Sequence, residues 1–204
     1  NALVFYHEPY ASSASEMVAE LVQYLGENCL NRREAGALLS GITLDTKNFV
    51  LKTGVRTFEA AAYLRRRGAD TVEVKRMFSD SIDAYKKKYE IVSNAEISDN
   101  CAIASAREEF SDVRVISAQA ADELLSIQGV KASFVIFPSG GQVNISARSL
   151  GEVNVQLIME ALGGGGHLTM AATQLTGVGI EEGRRLLKGA IRNVMERALP
   201  VKDS

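Results

Sequence analysis

The strongest constraint on the fold is a pair of short β-prone segments separated by a glycine turn. Residues 132–138 are almost wholly apolar, and residues 142–147 follow them after Ser139, Gly140 and Gly141. Two such segments joined by a short turn that contains glycine predict a β-hairpin. The sequence therefore places a β-sheet in the second half of the chain.

Helical patterns surround this hairpin. In the first half, Ser13 with Glu16 and Asn31 with Glu34 have the spacing of capping boxes, and apolar residues recur at helical spacing after each pair. In the second half, the predicted helices are residues 118–127, 153–162 and 180–198, and the weak strand candidates are residues 101–105 and 113–117. This mixture of elements predicts the α/β fold class.

The sequence pattern changes near residue 97, where short β-prone runs begin to alternate with helices. Residues 81–96 are polar and periodic, which predicts a helix that links two parts of the chain. We therefore expect two α/β subdomains, residues 1–80 and residues 97–204, joined by a linker helix.

Composition narrows the classes of function. A hydrophobic fraction of 46% and a charged fraction of 24% are typical of a globular domain, and a net charge of −2 argues against broad binding to duplex DNA. The two cysteines, Cys29 and Cys101, stand far apart and predict neither a disulfide framework nor a zinc site. No apolar run approaches the length of a membrane span. The start at Asn1, without a methionine or signal-peptide pattern, indicates the interior of a longer chain, which leaves room for an anchor upstream.

The most specific candidate for chemistry is a run of glycines followed by a histidine. The residues are Gly163, Gly164, Gly165, Gly166 and His167. Consecutive glycines lose much backbone entropy on folding, and that loss is explained if the backbone must approach an anionic ligand closely with its N–H groups turned towards it. His167 adds a side-chain donor. The alternative is a flexible loop with an incidental histidine.

Arg148 and Asp45 are the other candidates. Arg148 ends a predicted strand, where its guanidinium could hold a phosphate through two parallel hydrogen bonds. The alternative is a surface arginine in an ion pair. Asp45 follows an apolar stretch and precedes Thr46, which is a suitable position for a ligand to a hard or borderline metal. The alternative for Asp45 is a turn or a helix cap.

Taken together, several segments resemble the DHH phosphoesterase family. They are residues 8–13, 41–49, 146–149, 153–156 and 163–167. Residues 1–80 are similar to the later part of the catalytic DHH domain, and residues 97–204 to the complete DHH-associated domain. The Leu-Asp-Thr-Lys-Asn-Phe segment and the Gly-Gly-Gly-Gly-His segment with its preceding helix resemble the GdpP-type cyclic-di-AMP phosphodiesterases.

This resemblance implies a metal-dependent hydrolase. Two manganese ions (Mn²⁺) would sit in the first domain, with Asp45 matching the last metal-ligand motif. Arg148 and Gly163 to His167 match the substrate-binding motifs of the associated domain. The implied reaction is attack of a metal-bound water on cyclic-di-AMP, which yields the linear dinucleotide pApA. The implied location is a cytoplasmic domain of a signalling protein anchored in the bacterial cell membrane, with a cyclic dinucleotide or short oligonucleotide as its partner.

The sequence departs from the family pattern in one respect. The Asp-His-His triplet that names the family is absent, and the histidines present are His7 and His167. We therefore expect Asp45 to be a single ligand without the others of its site, and this chain by itself to be inactive. Two alternatives stay open, namely a nano-RNase or 3′-phosphoadenosine phosphate phosphatase of the same family, and a nucleotide-binding module without chemistry. Exposed apolar edges in the first subdomain would favour a homodimer.

Overall fold

The computed structural model describes residues 5–26 and 29–198. The chain divides into two compact units, with the boundary between residues 79 and 80. Among the helices of the described residues, none combines the length and the apolar character that a membrane span requires.

The first unit is built from helices in its described part. They are α1 (Ala14–Val22), α2 (Arg32–Asp45), α3 (Val55–Arg66) and α4 (Thr71–Met77). Side chains fix where these helices begin: Ser13 accepts from the Glu16 amide, and Asn31 and Glu34 form a complete capping box. Buried Leu39, Ile42 and Leu64 belong to the core that the helices enclose.

In its described part, residues 80–198, the second unit contains a six-stranded sheet and four helices. Its elements are α5 (Ile82–Ser93), β1 (Glu96–Ser98), β2 (Cys101–Ser105), α6 (Val113–Leu124), β3 (Ala132–Ser139), β4 (Gln142–Ser149), α7 (Val155–Glu160), β5 (Gly165–His167), β6 (Met170–Leu175) and α8 (Ile180–Ala198). The strand order is β1-β2-β3-β4-β6-β5. β2 and β3 run parallel, and the other neighbouring strands are antiparallel.

Helices cover the two faces of this sheet with separate cores. On one face, α7 and α8 pack on alternate residues of the central strands, among them Phe134, Ile136 and Ile145. On the other face, α5 and α6 pack on the intervening residues, such as Ala104 and Val135. The period of two along each strand therefore decides which helices a side chain meets.

The predicted linker segment is a helix that packs within the second unit. Ile91 of α5 is buried in the core shared with α6. At the start of this unit, the Asp80 carboxylate lies 2.7 Å from the Lys88 Nζ and accepts a hydrogen bond from the Gln119 amide at 3.2 Å. Asp80 therefore ties the beginning of the unit to both α5 and α6.

The mixed α/β class predicted from the sequence is confirmed, with the described strands all in the second unit. The hairpin forms in one continuous register from Ala132 opposite Ser149 to Ser139 opposite Gln142. The strand candidate at residues 113–117 is wrong, because these residues begin helix α6. Buried Val113, Ile116 and Ala120 follow helical spacing, so packing overrides the β-branched character of the segment.

The placement of the two cysteines gives a test of the fold. Cys29 is exposed, whereas Cys101 lies in the sheet, where burial and the Asp99 carboxylate raise the pKa of its thiol to about 11. We expect a thiol-reactive disulfide reagent at pH 8 to modify Cys29 rapidly and Cys101 only after denaturation. Mass spectrometry of the labelled peptides distinguishes the two sites. Equally fast labelling of Cys101 in the native chain would contradict this fold.

Candidate functional site

Helix α6 covers only part of one sheet face. It packs on β3 and reaches β4, and the Ser133 hydroxyl on β3 donates to the Ala121 carbonyl of α6 at 2.6 Å. Beyond it, the alternate residues Met170, Ala172 and Gln174 of β6 are exposed on that same face. We call this area the open sheet face. Its exposed residues are His167, Met170 and Ala172, Gly165 is half-buried, and half-buried Arg148 and buried Ser146 form its border towards α6.

The register of the strands places two of the predicted ligand-binding side chains, Arg148 and His167, in one row. Arg148 of β4 pairs with Met170 of β6, which in turn pairs with His167 of β5. Directly paired residues on neighbouring strands project to the same side of a sheet. Arg148 and His167 therefore share one row on the open sheet face, with Cα atoms roughly 10 Å apart across two strand spacings.

The next row along these strands has only small side chains. Ser146 pairs with Ala172, and Ala172 pairs with Gly165. This row lies beside the row of Arg148 and His167. The open sheet face therefore has a row of small side chains, which we call its floor, next to a row with two hydrogen-bond donors. A flat group such as a nucleobase can approach the backbone closely at such a floor.

The glycine run begins by ending a helix. Gly163, three residues after the end of α7, has a φ of +77°, and the Gly164 amide donates to the Met159 carbonyl at 2.8 Å. The left-handed residue and the hydrogen bond to the last helical turn form a Schellman-type termination. Gly163 is therefore a helix terminator that turns the chain into β5.

The next three glycines differ in what surrounds them. A Cβ at Gly164 would lie 2.2 Å from the Ala172 carbonyl oxygen, and a Cβ at Gly166 would lie 2.4 Å from both the Ala171 Cα and the Met170 carbonyl oxygen. A Cβ at Gly165 would have no heavy atom within 4 Å, apart from its own residue and its two chain neighbours. Two of the glycines thus permit β5 to press against β6, whereas the fold makes no such demand at Gly165.

Arg148 is held by its own strand. Its Nη1 donates to the Ser146 hydroxyl at 3.1 Å and to the Ala147 carbonyl at 2.9 Å. Its Nε lies 3.3 Å from the Asp122 carboxylate on α6, although that buried Nε has no hydrogen-bond partner. The ion-pair alternative considered for Arg148 is therefore present in the structure, but at a half-buried position beside the open sheet face.

Asp45 is the last residue of α2 in the first unit, and it is exposed. The C-terminal end of a helix has partial negative charge, which disfavours an aspartate and favours a cation. After the buried Thr46, the chain has positive φ at Lys47, Asn48 and Phe49, with values of 50°, 58° and 63°. Consecutive non-glycine residues in the left-handed region are strained, and such strain concentrates at functional sites.

The residues needed for a binuclear metal centre are not brought together in the described part of the chain. No group of three histidine, cysteine, aspartate or glutamate side chains there is arranged to hold a metal ion. A pair of divalent ions needs several carboxylate or imidazole ligands. Asp45 can contribute one ligand, and the described residues do not fit a complete pair of ions.

Sequence reasoning missed three members of the site's surroundings. Met170 and Ala172 were not singled out, because their place depends on β6 lying between β4 and β5. Asp122 was missed because its contact with Arg148 joins a helix to a strand. One usable signal was present, since Asn144, Ser146 and Arg148 are polar at a period of two on an otherwise apolar strand.

Comparison with known proteins adds a family context. Residues 100–196 match the DHHA1 domain. The chain is 50% identical over 202 residues to the cyclic-di-AMP phosphodiesterase GdpP of Geobacillus thermodenitrificans and 52% identical over 200 residues to GdpP of Bacillus subtilis. These alignments cover 98% and 95% of this chain but 31% and 30% of the relatives, so the chain spans less than a third of their length.

A solved structure extends the similarity to the fold. An exopolyphosphatase-related protein from Bacteroides fragilis has a TM-score of 0.84 to this chain at 24% identity. The match covers 94% of this chain and 59% of that protein. The arrangement of elements described above is therefore shared with a solved protein.

The different surroundings of the glycines predict different effects of alanine. Gly164→Ala and Gly166→Ala should each lower the free energy of unfolding by at least about 2 kcal/mol, because the new methyl groups collide with the backbone of β6. Gly165→Ala should change it by less than about 1 kcal/mol. Urea denaturation of the three variants measures these values. A loss at Gly165 as large as at Gly166 would show that the run has another structural role.

Proposed function

Since this chain belongs to the DHH phosphoesterase family, with its DHHA1 domain in residues 100–196, we propose that it is part of a metal-dependent phosphodiesterase that hydrolyses cyclic-di-AMP to pApA. In this proposal the second unit binds the substrate through a phosphate, and the first unit contributes to the metal site. The relatives named cyclic-di-AMP phosphodiesterases, about 50% identical over nearly the whole chain, support the choice of substrate.

The observation that carries the proposal is the row of Arg148 and His167 on the open sheet face. The Arg148 guanidinium is oriented by its Nη1 hydrogen bonds to Ser146 and Ala147, so little side-chain entropy remains to be lost on binding. A fixed guanidinium is well suited to a phosphate oxygen. His167, in the same row, can donate to a second oxygen of the same group or to a base.

Gly163 to Gly166 supply the neighbouring backbone in this proposal. Gly164 and Gly166 let β5 reach β6, which puts His167 at the sheet edge. Because Gly165 has no side chain, the space above it, next to Ala172, is empty. The absence of a packing demand at Gly165 supports a role in leaving space for the ligand.

In the first unit, Asp45 is proposed as a ligand to one of two manganese ions. Its position at the C-terminal end of α2, followed by a left-handed turn, supports a cation at this end of the helix. When bound, the ions would lower the pKa of a water molecule and offset the charge of the phosphodiester. The Asp-His-His triplet that would supply further ligands is absent from the sequence, and this supports the proposal that the chain alone is inactive.

The proposed function also implies a cellular location and a partner for the protein. We propose that it works as a cytoplasmic domain of a larger membrane-anchored protein in a nucleotide signalling system, as a homodimer. The partner is a cyclic dinucleotide or a short oligonucleotide. Duplex DNA is not proposed as a partner, because the net charge of −2 gives no broad cationic surface.

A second candidate is a nucleotide-binding module without chemistry. The observation in its favour is that the proposed phosphate contacts lie wholly within a unit that has cores of its own. A third candidate in the same family, a nano-RNase or 3′-phosphoadenosine phosphate phosphatase, differs in its ligand. It would favour pApA or 3′-phosphoadenosine 5′-phosphate over the cyclic dinucleotide.

Binding without metal tests the phosphate contact. We expect calorimetry to show that the chain binds cyclic-di-AMP in the presence of EDTA, and that Arg148→Ala weakens this binding about 10- to 100-fold through loss of a charged hydrogen bond. Arg107→Ala, at an exposed loop arginine, is the matched control and should leave the affinity unchanged. Equal affinities of wild type and Arg148→Ala would refute the arginine assignment, and tighter binding of pApA would favour the nano-RNase alternative.

Hydrolysis of cyclic-di-AMP should distinguish this chain from a longer version of the protein. With manganese present, we expect no conversion of cyclic-di-AMP to pApA by this chain and ready conversion by a version extended to include an Asp-His-His triplet, because one carboxylate cannot hold two ions. Chromatography of the nucleotides measures both. Asp45→Asn in the extended protein should lower turnover at least about 100-fold while leaving metal-free binding unchanged. Turnover by the short chain would contradict the proposal.

A further inference from the structure

The guanidinium of Arg148 has three groups of donors with different surroundings. Both hydrogens of Nη1 are directed to protein oxygens, the Ser146 hydroxyl and the Ala147 carbonyl. The single hydrogen on Nε has no acceptor aligned with it. The Nη2 group completes the five N–H donors of an arginine. Because Nη1 is already engaged, a phosphate that binds with two parallel hydrogen bonds has to use the edge formed by Nε and Nη2. Nε is buried beside the Asp122 carboxylate, so the phosphate reaches this edge only when that carboxylate moves aside.

Asp122 stands next to that edge. Its Oδ1 lies 3.3 Å from Nε, with the Arg148 side chain 11% exposed and the Asp122 side chain 30% exposed. A carboxylate that oriented the arginine would align with the Nε–H, but Nε has no hydrogen-bond partner. The orientation of Arg148 is instead set by the two Nη1 bonds to its own strand. The ion pair with Asp122 places a negative charge beside the Nε of Arg148.

We propose that Asp122 is an internal counter-ion that competes with the ligand phosphate for the Nε and Nη2 edge of Arg148 and so lowers the affinity of the site. This inference rests on the proposed function, because it takes Arg148 to be the phosphate contact. It assigns a role to a residue outside the segments that resemble the family. The carboxylate neutralises Arg148 in the free chain and repels an anion that replaces it.

The same charge makes Asp122 a determinant of specificity. The electrostatic energy between a carboxylate and a phosphate is proportional to the charge of the phosphate. A phosphodiester group has one negative charge, whereas a phosphomonoester has nearly two above its second pKa of about 6. Asp122 therefore disfavours a terminal phosphate about twice as strongly, in free energy, as it disfavours a diester.

The test uses two ligands that differ in this charge and by one methyl group. They are adenosine 5′-monophosphate and its O-methyl ester, titrated at pH 8 into the wild-type chain, Asp122→Asn, Arg148→Ala and the double variant. Asp122→Asn removes the charge and keeps an oxygen in place. We expect it to strengthen binding of the methyl ester about threefold to tenfold, and binding of the monophosphate by roughly the square of that factor. Cyclic-di-AMP, the substrate of the proposed function, is titrated as a third ligand and should gain like the methyl ester.

Glu123→Gln provides the matched control. Glu123 is the next residue of α6, is exposed, and carries the same charge. Its substitution should alter both affinities by less than about twofold, since successive helix residues point in different directions and exposed charges are screened by solvent. Thermal unfolding of each variant confirms that the folded population is unchanged.

The outcomes separate this inference from the function on which it rests. If Arg148→Ala weakens binding while Asp122→Asn weakens it or leaves it unchanged, the counter-ion role is wrong and the arginine contact stands. If Arg148→Ala has no effect on any ligand, both are wrong. A gain from Asp122→Asn that persists undiminished in the Arg148→Ala background also overturns the inference, because the carboxylate would then act without the arginine.

Discussion

The contact between the backbones of β5 and β6 is the constraint on which the rest of the site depends. Side chains at Gly164 and Gly166 would meet the backbone of β6 at 2.2 and 2.4 Å, so this contact exists only because both positions lack a Cβ. The contact puts β5 at the edge of the sheet and His167 opposite Met170. The two glycines therefore fix the position of His167 at the edge of the sheet, at the conformational entropy cost that glycine carries on folding.

The limited reach of α6 makes this placement useful. Because α6 packs on β3 and only reaches β4, the sheet beyond it stays uncovered on that face. Arg148 stands at the border, with its guanidinium satisfied in part by the Ser146 hydroxyl and the Ala147 carbonyl. A charged group can remain half buried there because polar atoms of its own strand solvate it, and its Nε edge lies beside the Asp122 carboxylate.

Features that depend on neighbouring residues could be predicted from the sequence. The Asn31 capping box and the hairpin around Gly140 and Gly141 require only short stretches of chain, and both form in the structure. Local pattern failed at residues 113–117, where β-branched residues suggested a strand but burial at helical spacing formed α6. The mixed α/β class followed from the alternation of such elements.

Features that depend on strand order could not be predicted. The run from Gly163 to Gly166 indicated close approach of backbone, but the approach in the structure is to β6, which comes later in the chain. Likewise, the row that joins Arg148 to His167 requires β6 to lie between β4 and β5.

A neutralised arginine is consistent with a site that must release what it binds. On the proposed function, hydrolysis converts a cyclic diester into a linear dinucleotide with a terminal phosphate, so the product is more negative than the substrate at one end. An unopposed guanidinium would hold that product more tightly than the substrate, and slow product release limits many enzymes. Asp122, 3.3 Å from the Nε of Arg148, shifts the balance in the other direction. Asp122 lowers the affinity for the substrate, but it speeds release of the product. This follows because the repulsion between its carboxylate and the phosphate grows with the negative charge that the reaction creates.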